Sequence, residues 1–335
     1  MPAFAGLLLF LSGSGAFGIG SSGWYATRIK MEYQYSDYNS YRYPDPIAPE
    51  YPDVEYQQVD PYIAEFPELR TLVRVTQAFG PHTGLQIRHQ YSDLSQSKLQ
   101  RLYYTRLAHD LTTMTNLYGA YQYLEQPGNL FGYMLLAGIR HDRAGWILGE
   151  ASFSYLRNHS FSSVSGDPYA QSGALNSLVQ TYAPMASLRY SLDQFTAVMI
   201  RWEGFWAQGE RGNATSFIYT GYVSRYLPTN TALHLMLRYY DNDVGVRSLS
   251  PAVEVAQYLR WNLTLRVSYR YYENEFDPGA ASSAVEGNSI RSHSLRTHLE
   301  WQVGSDLKLN FNYRRYLSNQ QIRMNTYLVG FEYLI

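Results

Sequence analysis

The residues of this sequence with the clearest potential for chemistry are arginines and glutamates that alternate with apolar residues. Residues 263–271 read LTLRVSYRY, so Arg266 and Arg270 each fall between apolar positions. Guanidinium groups stay charged and bind carboxylates through two parallel hydrogen bonds. Such residues either form a cationic surface that attracts anions or pair with glutamate and tyrosine to stiffen a wall. The sequence leaves both interpretations open.

The alternation assigns these charged residues to one face of extended segments. A strand directs successive side chains to opposite faces, so a period of two separates polar from apolar side chains. In lipid, each arginine near the midplane would cost about 2–4 kcal/mol, so the polar face must meet water or other charges. We predict that it lines the lumen of a barrel, with the charged residues Arg70, Arg74, Arg88, Arg238, Arg266, Arg270, Arg296, Arg314, Glu32, Glu150, Glu203 and Glu300.

The composition favours a membrane protein that crosses with strands. The 335 residues include 33 tyrosines, and charged residues make up 16%, against about 25% in soluble domains. Tyrosine has an apolar ring and a polar hydroxyl, which suits the boundary between membrane and water. A helical membrane protein would need about 20 consecutive apolar residues, and the sequence contains no such run.

The period of two recurs in segments that are long enough to cross the bilayer as tilted strands. It predicts an all-β fold: a transmembrane antiparallel up-and-down β-barrel of about sixteen strands, with fourteen or eighteen as alternatives. Pro184 lacks the N–H that a central strand donates, so it predicts a bulge or a misplaced strand. A soluble sandwich fits less well because its strands are usually shorter. The predicted strands are 24–36, 68–79, 84–94, 98–109, 113–125, 130–141, 145–157, 177–191, 195–208, 214–227, 231–241, 249–260, 262–275, 291–303, 306–317 and 321–335.

The predicted connections alternate between short turns and longer loops. Short turns on one rim and long loops on the other are typical of bacterial outer-membrane barrels. The longest loop, from Tyr38 to Leu69, is rich in proline and tyrosine. Proline restricts its freedom and tyrosine gives it packing area. We leave open whether this loop folds inward, binds a partner outside or caps the rim.

The chain begins with an apolar run followed by small residues. Residues 3–11 read AFAGLLLFL, and serine and glycine dominate as far as Gly23. This pattern is typical of the hydrophobic and cleavage regions of a secretory signal, although no basic residue precedes Arg28. We predict that residues 1–22 form a removed export signal or, as the alternative, a periplasmic segment. A single barrel domain then covers residues 23–335.

The last predicted strand ends at the C-terminus itself. Its residues Tyr327, Val329, Phe331, Tyr333 and Ile335 fall on one face. This strand resembles the C-terminal assembly signal of Gram-negative outer-membrane β-barrel proteins, which usually ends in phenylalanine rather than isoleucine. The resemblance extends over the whole chain as architecture and identifies no subfamily. It implies an outer-membrane location with both termini periplasmic, contact with outer-membrane lipid, and recognition by the barrel-assembly machinery.

The sequence gives little support to catalysis or to bound cofactors. His109–Asp110 and His141–Asp142 are pairs that can orient a catalytic base, but no serine nucleophile is marked beside them. The chain has no cysteine, which excludes thiolate metal sites and its own thioether haem attachment. No glycine-rich phosphate loop is present, and a net charge of −1 gives no field for nucleic acid. We predict no enzyme, no cofactor, no metal site and no nucleic-acid partner.

The architecture and the arginines together define the expected function. We predict a porin-like channel that passes small hydrophilic solutes, with a preference for anions if the arginines line the pathway. The alternative is a barrel that sheathes a periplasmic or lumen-inserted partner, such as a multihaem cytochrome, or that exports a polymer.

Overall fold

The computed structural model describes residues 27–38, 69–80, 82–94, 98–126, 130–143, 146–162, 175–209, 212–243, 246–276, 291–319 and 323–334. They form sixteen strands and no helix, so this part of the chain contains no helix that could span a membrane. The strands are β1 (Arg28–Tyr38), β2 (Leu69–Phe79), β3 (Thr83–Leu94), β4 (Lys98–Asp110), β5 (Thr115–Gln126), β6 (Leu130–Arg143), β7 (Ile147–Ser162), β8 (Leu175–Ser191), β9 (Thr196–Gly209), β10 (Gly212–Leu227), β11 (Thr231–Asn242), β12 (Val246–Arg260), β13 (Leu263–Phe276), β14 (Arg291–Val303), β15 (Leu307–Ser318) and β16 (Arg323–Leu334).

The strands close into a single antiparallel barrel in sequence order. Each strand pairs with its neighbours along the chain, and β1 closes the barrel by pairing with β16. In that closing pair Met31 lies opposite Phe331 and Tyr33 lies opposite Val329. Closure leaves no unpaired sheet edge among the sixteen described strands. The predicted up-and-down barrel is therefore confirmed, with sixteen strands rather than fourteen or eighteen.

Pro184 does not produce the predicted bulge or a misplaced strand. Strand β8 is continuous, and Pro184 lies opposite Phe153 on β7. On its other side, pairing with β9 runs from Tyr182 opposite Trp206 to Met185 opposite Glu203 without a change of register. Proline has no N–H to donate, so the ladder skips this position and then resumes. The irregularity that does occur lies between β12 and β13, after Tyr258.

The outward face is an apolar band between two groups of aromatic side chains. We call the end where β1 begins and β16 ends the terminal rim, and the other end the opposite rim. Exposed tyrosines lie outward near the opposite rim, including Tyr121, Tyr219 and Tyr239, whereas Tyr190 and Tyr333 lie outward near the terminal rim. Exposed aliphatic residues such as Ile200 and Leu235 lie between them. Aromatic girdles around an apolar band are typical of barrels embedded in a bilayer.

The turns of the terminal rim are short and locally specified. Gly80, Asn230 and Gly304 adopt positive φ of 70°, 56° and 71°, which glycine and asparagine tolerate in tight turns. In the turn after β8, Asp193 accepts hydrogen bonds of 2.7 Å from the backbone N–H groups of Phe195 and Thr196. These bonds lower the pKa of the Asp193 carboxyl.

The predicted alternation of turn and loop lengths holds only in part. Residues 39–68, 163–174 and 277–290 separate strands at the opposite rim, but β11 and β12 are separated there only by 243–245. The loop predicted between Asp241 and Leu249 is therefore wrong, because both strands extend further than expected. The loop rich in proline and tyrosine and the segment 1–22 lie outside the described residues.

Candidate functional site: the inward wall of the barrel

All twelve charged residues of the predicted polar face lie on the inward face of the barrel. On β13, for example, Arg270 is buried while its outward neighbours Val267 and Tyr269 are exposed. Directly opposed residues on neighbouring strands point to the same side of the sheet. The pairing of the strands therefore assigns the inward face strand by strand around the barrel. Thus Arg266 lies opposite inward His298, and Arg296 lies opposite Arg314.

Closure of the barrel brings most of the predicted arginines to one side of the wall. The seven arginines Arg70, Arg74, Arg88, Arg266, Arg270, Arg296 and Arg314 lie on β2, β3, β13, β14 and β15. These strands are contiguous through β16 and β1 because β1 pairs with β16. We call this set the arginine arc. Arg238 on β11, Glu150 on β7 and Glu203 on β9 lie outside it.

Within the arginine arc, cations stand directly opposite other cations. Lys30 on β1 lies opposite Arg74, which in turn lies opposite Arg88. Arg296 lies opposite Arg314. Like charges in directly opposed positions destabilise a sheet unless counter-charges compensate them. The arc therefore concentrates positive potential along one side of the lumen.

Three of the predicted inward glutamates are paired with residues other than the predicted arginines, whereas Arg74 lies 3.7 Å from the inward Glu332, which was not predicted. Glu32 forms an ion pair with Lys30. Glu203 lies 2.7 Å from Arg201 and Glu300 lies 2.8 Å from Lys308, in each case measured from carboxylate oxygen to side-chain nitrogen. Sequence reasoning missed Lys30, Arg201 and Lys308, although the same alternation places them on the polar face. These pairs satisfy the predicted glutamates and leave the arc with an excess of cationic groups.

Glu150 is held by tyrosine rather than by arginine. The Tyr118 hydroxyl donates a hydrogen bond of 2.5 Å to its carboxylate, and the Arg106 guanidinium lies 4.3 Å from the centre of the Tyr118 ring. A Cβ at Gly138 would lie 2.4 Å from a ring carbon of Tyr118. Glycine at this position therefore makes room for the ring that positions Glu150.

The inward arginines differ in how much of their surface is accessible. Arg70, Arg238 and Arg270 are only 4%, 8% and 7% exposed. Arg74, Arg88, Arg266, Arg296 and Arg314 are half-buried. A solute inside the barrel would therefore meet the second group, while the first group belongs to the packed part of the wall.

An apolar cluster lies on the inward face of β4 to β7 and borders the arginine arc, since Tyr104 lies directly opposite Arg88. A buried cluster joins Leu102, Leu124, Met134 and Leu156 with Tyr104 and Ala120. Sequence reasoning missed it because apolar positions were assigned to the outward face. The alternation within β4 could have revealed the cluster, because Leu102 and Tyr104 lie on the same face as Arg106. Tyr103 lies on the other face, outward and exposed. The lumen wall thus contains an apolar cluster beside its cationic side.

The two histidine–aspartate pairs do not form catalytic dyads among the described residues. Nδ1 of His109 lies 2.9 Å from the Thr83 hydroxyl, and Nδ1 of His141 lies 3.0 Å from the Thr115 hydroxyl. Each histidine thus contacts a threonine on the neighbouring strand. Within the described ranges, no group of three or more histidine, aspartate or glutamate side chains is arranged to hold a metal ion.

Comparison with solved structures finds barrels of bacterial outer membranes. A structure described as a bacterial polysaccharide outer membrane secretin superposes with a TM-score of 0.59 at 9% identity, over 92% of this chain and 98% of that one. CdiB from Acinetobacter baumannii gives 0.60 at 10% identity, over 92% of this chain and 60% of its own. OpdO from Pseudomonas aeruginosa gives 0.53 at 9% identity, over 92% and 96%.

The chain is an outer-membrane-type β-barrel. No protein-family model matches it and no curated protein matches its sequence, so the likeness is one of fold. The four predicted assembly-strand residues Tyr327, Val329, Phe331 and Tyr333 lie outward on β16 and are exposed. Ile335 lies outside the described residues, and recognition of this outer-membrane-type barrel by the assembly machinery stays a prediction.

Proposed function

We propose that this protein is an outer-membrane channel for small hydrophilic solutes, with a preference for anions. The observation that carries the proposal is the arginine arc, in which half-buried Arg74, Arg266 and Arg296 face the lumen on neighbouring parts of one wall. Side chains of one charge along a pore favour counter-ions inside it. A low-dielectric wall strengthens this effect, because it focuses the field of the charges into the water-filled space.

The inward ion pairs do not cancel this preference. The carboxylates of Glu32, Glu203 and Glu300 are engaged by Lys30, Arg201 and Lys308. The carboxylate of Glu332 is engaged by Arg74. Arg266 has no carboxylate within ion-pair distance among the residues that the structure describes. An anion in the lumen therefore meets a cation that the wall itself leaves without an ion pair.

Reconstitution into a planar bilayer tests the channel and its selectivity together. We expect discrete current steps from the purified full chain, and a reversal potential in a potassium chloride gradient that reports faster passage of chloride. Because several inward side chains are buried, we expect a narrow pathway. A reversal potential on the cation side would contradict the anion preference. Absence of any current would contradict the channel itself, and a haem-containing partner copurifying with such a silent barrel would favour a sheath.

Polymer export is the second candidate function. It is favoured by the superposition on the polysaccharide outer membrane secretin, of which 98% is covered. The cationic side of the lumen suits an acidic polymer because several acidic units can each meet an arginine. In the same bilayer experiment, long blocks of the current by an acidic oligosaccharide, but not by a neutral one of equal length, would favour export.

The proposal includes the export and orientation of the chain. We propose that residues 1–22 are removed during export and that the terminal rim faces the periplasm, as in barrels with short turns on that side. Mass spectrometry of the chain isolated from outer membranes is expected to give a mature form that lacks about 22 residues. A mass that includes the complete segment would contradict its role as a removed signal.

A further inference from the structure

A group of aromatic and cationic side chains lies on the inward face near the terminal rim, away from most of the arginine arc. The rings of Tyr222 and His234 are stacked, with centroids 5.5 Å apart and planes 21° apart. The rings of Tyr226 and Tyr258 have centroids 6.1 Å apart. We call these four residues, together with Arg189 and Arg266, the recess.

Register explains why these rings come together. Tyr226 lies opposite Ala232, and Arg266 lies opposite Ala256. Both alanines are small and buried, so the larger rings on β10 and β12 can meet above them. His234 is held in place because its Nδ1 lies 2.8 Å from the Ser224 hydroxyl. The residues of the recess thus lie on β8 and on β10 to β13, and the pairing of these strands brings them together.

The rings of the recess remain accessible. Tyr226 and Tyr258 are 37% and 40% exposed, whereas other inward tyrosines, such as Tyr104 and Tyr316, are buried. By strand parity both rings belong to the inward face, since Tyr226 opposes inward Ala232 and Tyr258 opposes inward Thr264. The planes of the two exposed rings are 50° apart, so a planar group at the lumen mouth can stack on one ring and meet the other at an angle.

The cations of the recess are placed to bind the charged end of such a group. Arg189 is exposed and Arg266 is half-buried. Neither has a carboxylate within ion-pair distance in the described part of the chain. Arg189, Arg266 and Glu254 are all near enough to act electrostatically on Tyr222 and His234. Glu254 is the acidic group that faces the recess, so two guanidinium groups oppose one carboxylate.

We propose that the recess is a binding site for small aromatic carboxylates, which it selects from the anions that enter the lumen. The ring of the solute stacks on Tyr258 and meets the tilted ring of Tyr226 at an angle, and its carboxylate accepts hydrogen bonds from Arg266 and Arg189. Guanidinium groups bind carboxylates in a planar two-bond geometry that also orients an attached ring. This inference deepens the proposed channel function and rests on it.

Calorimetric titration of the purified full chain in detergent tests the recess with benzoate as the probe. We expect benzoate to bind about tenfold more tightly than acetate, because one stacking contact contributes roughly that factor. Benzyl alcohol, which has the ring without the charge, is expected to bind at least about tenfold more weakly than benzoate. Equal binding of benzoate and acetate would overturn the proposal, as would equal binding of glucuronate and benzoate, which would indicate a sugar-acid site.

Two matched pairs of variants locate the binding. Arg266→Gln is expected to weaken benzoate binding about tenfold, whereas Arg140→Gln, an inward arginine on β6, should leave it unchanged. Tyr258→Leu should remove most of the difference between benzoate and acetate, whereas Tyr121→Leu on the outward face should preserve it. Equal effects of a recess variant and its control would overturn the assignment to the recess.

The outcomes separate this proposal from the channel proposal. An anion-preferring current combined with benzoate binding no tighter than acetate would overturn the recess and leave the channel intact. Tight benzoate binding by a chain that carries no current would support the recess and overturn passive passage.

Discussion

Reversing the charge of Arg74, Arg266 and Arg296 is expected to replace the proposed anion preference of the channel with a cation preference. The triple variant Arg74→Glu, Arg266→Glu and Arg296→Glu places three carboxylates where half-buried cations face the lumen. A unit charge about 4 Å from an ion in water interacts with it by about 1 kcal/mol, and more beside a low-dielectric wall. We expect the chloride-to-potassium permeability ratio to fall by at least about tenfold and to cross one. The sign of the reversal potential in a potassium chloride gradient measures this.

The matched control reverses three arginines on the outward face. Arg101, Arg225 and Arg315 are exposed and alternate with inward residues near the rims. Their triple change to glutamate alters the net charge equally but leaves the lumen wall untouched. We expect the reversal potential to keep its sign. A shift as large as that of the inward variant would assign the selectivity to surface charge at the mouths, and the arginine arc would then lose its proposed role.

The strands were predictable because their signal is local. Strand β14 was predicted at 291–303 and occupies Arg291–Val303, and most other ends agree within a few residues. Alternation along a single segment is enough to assign faces, since each side chain's facing depends only on its parity. The largest difference is at the end of β7, which reaches Ser162 rather than residue 157.

The gathering of the arginines could not be predicted in the same way. Arg70 and Arg314 are far apart in sequence and approach one another because β1 pairs with β16. Alternation within a strand assigns each arginine to a face, but it does not show which residues of other strands lie beside it. The recess has the same origin, since Tyr226 and Tyr258 lie on different strands and meet above an alanine of β11. Register and closure are long-range properties, and a single-segment pattern does not contain them.

The inward leucines show where the pattern misled. Leu102 and Leu156 are apolar, and a division of each strand into a polar lumen face and an apolar outward face would place them outside, yet both are buried on the inward face. Parity relative to Tyr103, which is outward and exposed, would have placed Leu102 correctly. Hydrophobicity alone fails here because an apolar side chain can be buried either by lipid or by neighbouring side chains within the lumen.

Placing an arginine in the outward apolar band is expected to destabilise the folded barrel strongly. Leu235 is exposed on β11, between Leu233 and the outward tyrosine Tyr239. We expect Leu235→Arg to lower the free energy of unfolding in lipid vesicles by about 2–4 kcal/mol, because the guanidinium must enter the hydrocarbon near its midplane. Urea unfolding in vesicles, followed by the loss of heat-resistant migration in gels, measures this.

The same substitution at the end of the neighbouring strand provides the control. Leu227 has outward parity on β10 at the terminal rim, opposite Thr231. Leu227→Arg changes the same side chain in the same way, but at the boundary with water, and should cost less than about 1 kcal/mol. Equal costs at the two positions would mean that Leu235 does not face the bilayer interior. A larger cost at Leu235 than at Leu227 would show that the exposed apolar band lies in hydrocarbon, because in water an arginine would cost the same at both positions.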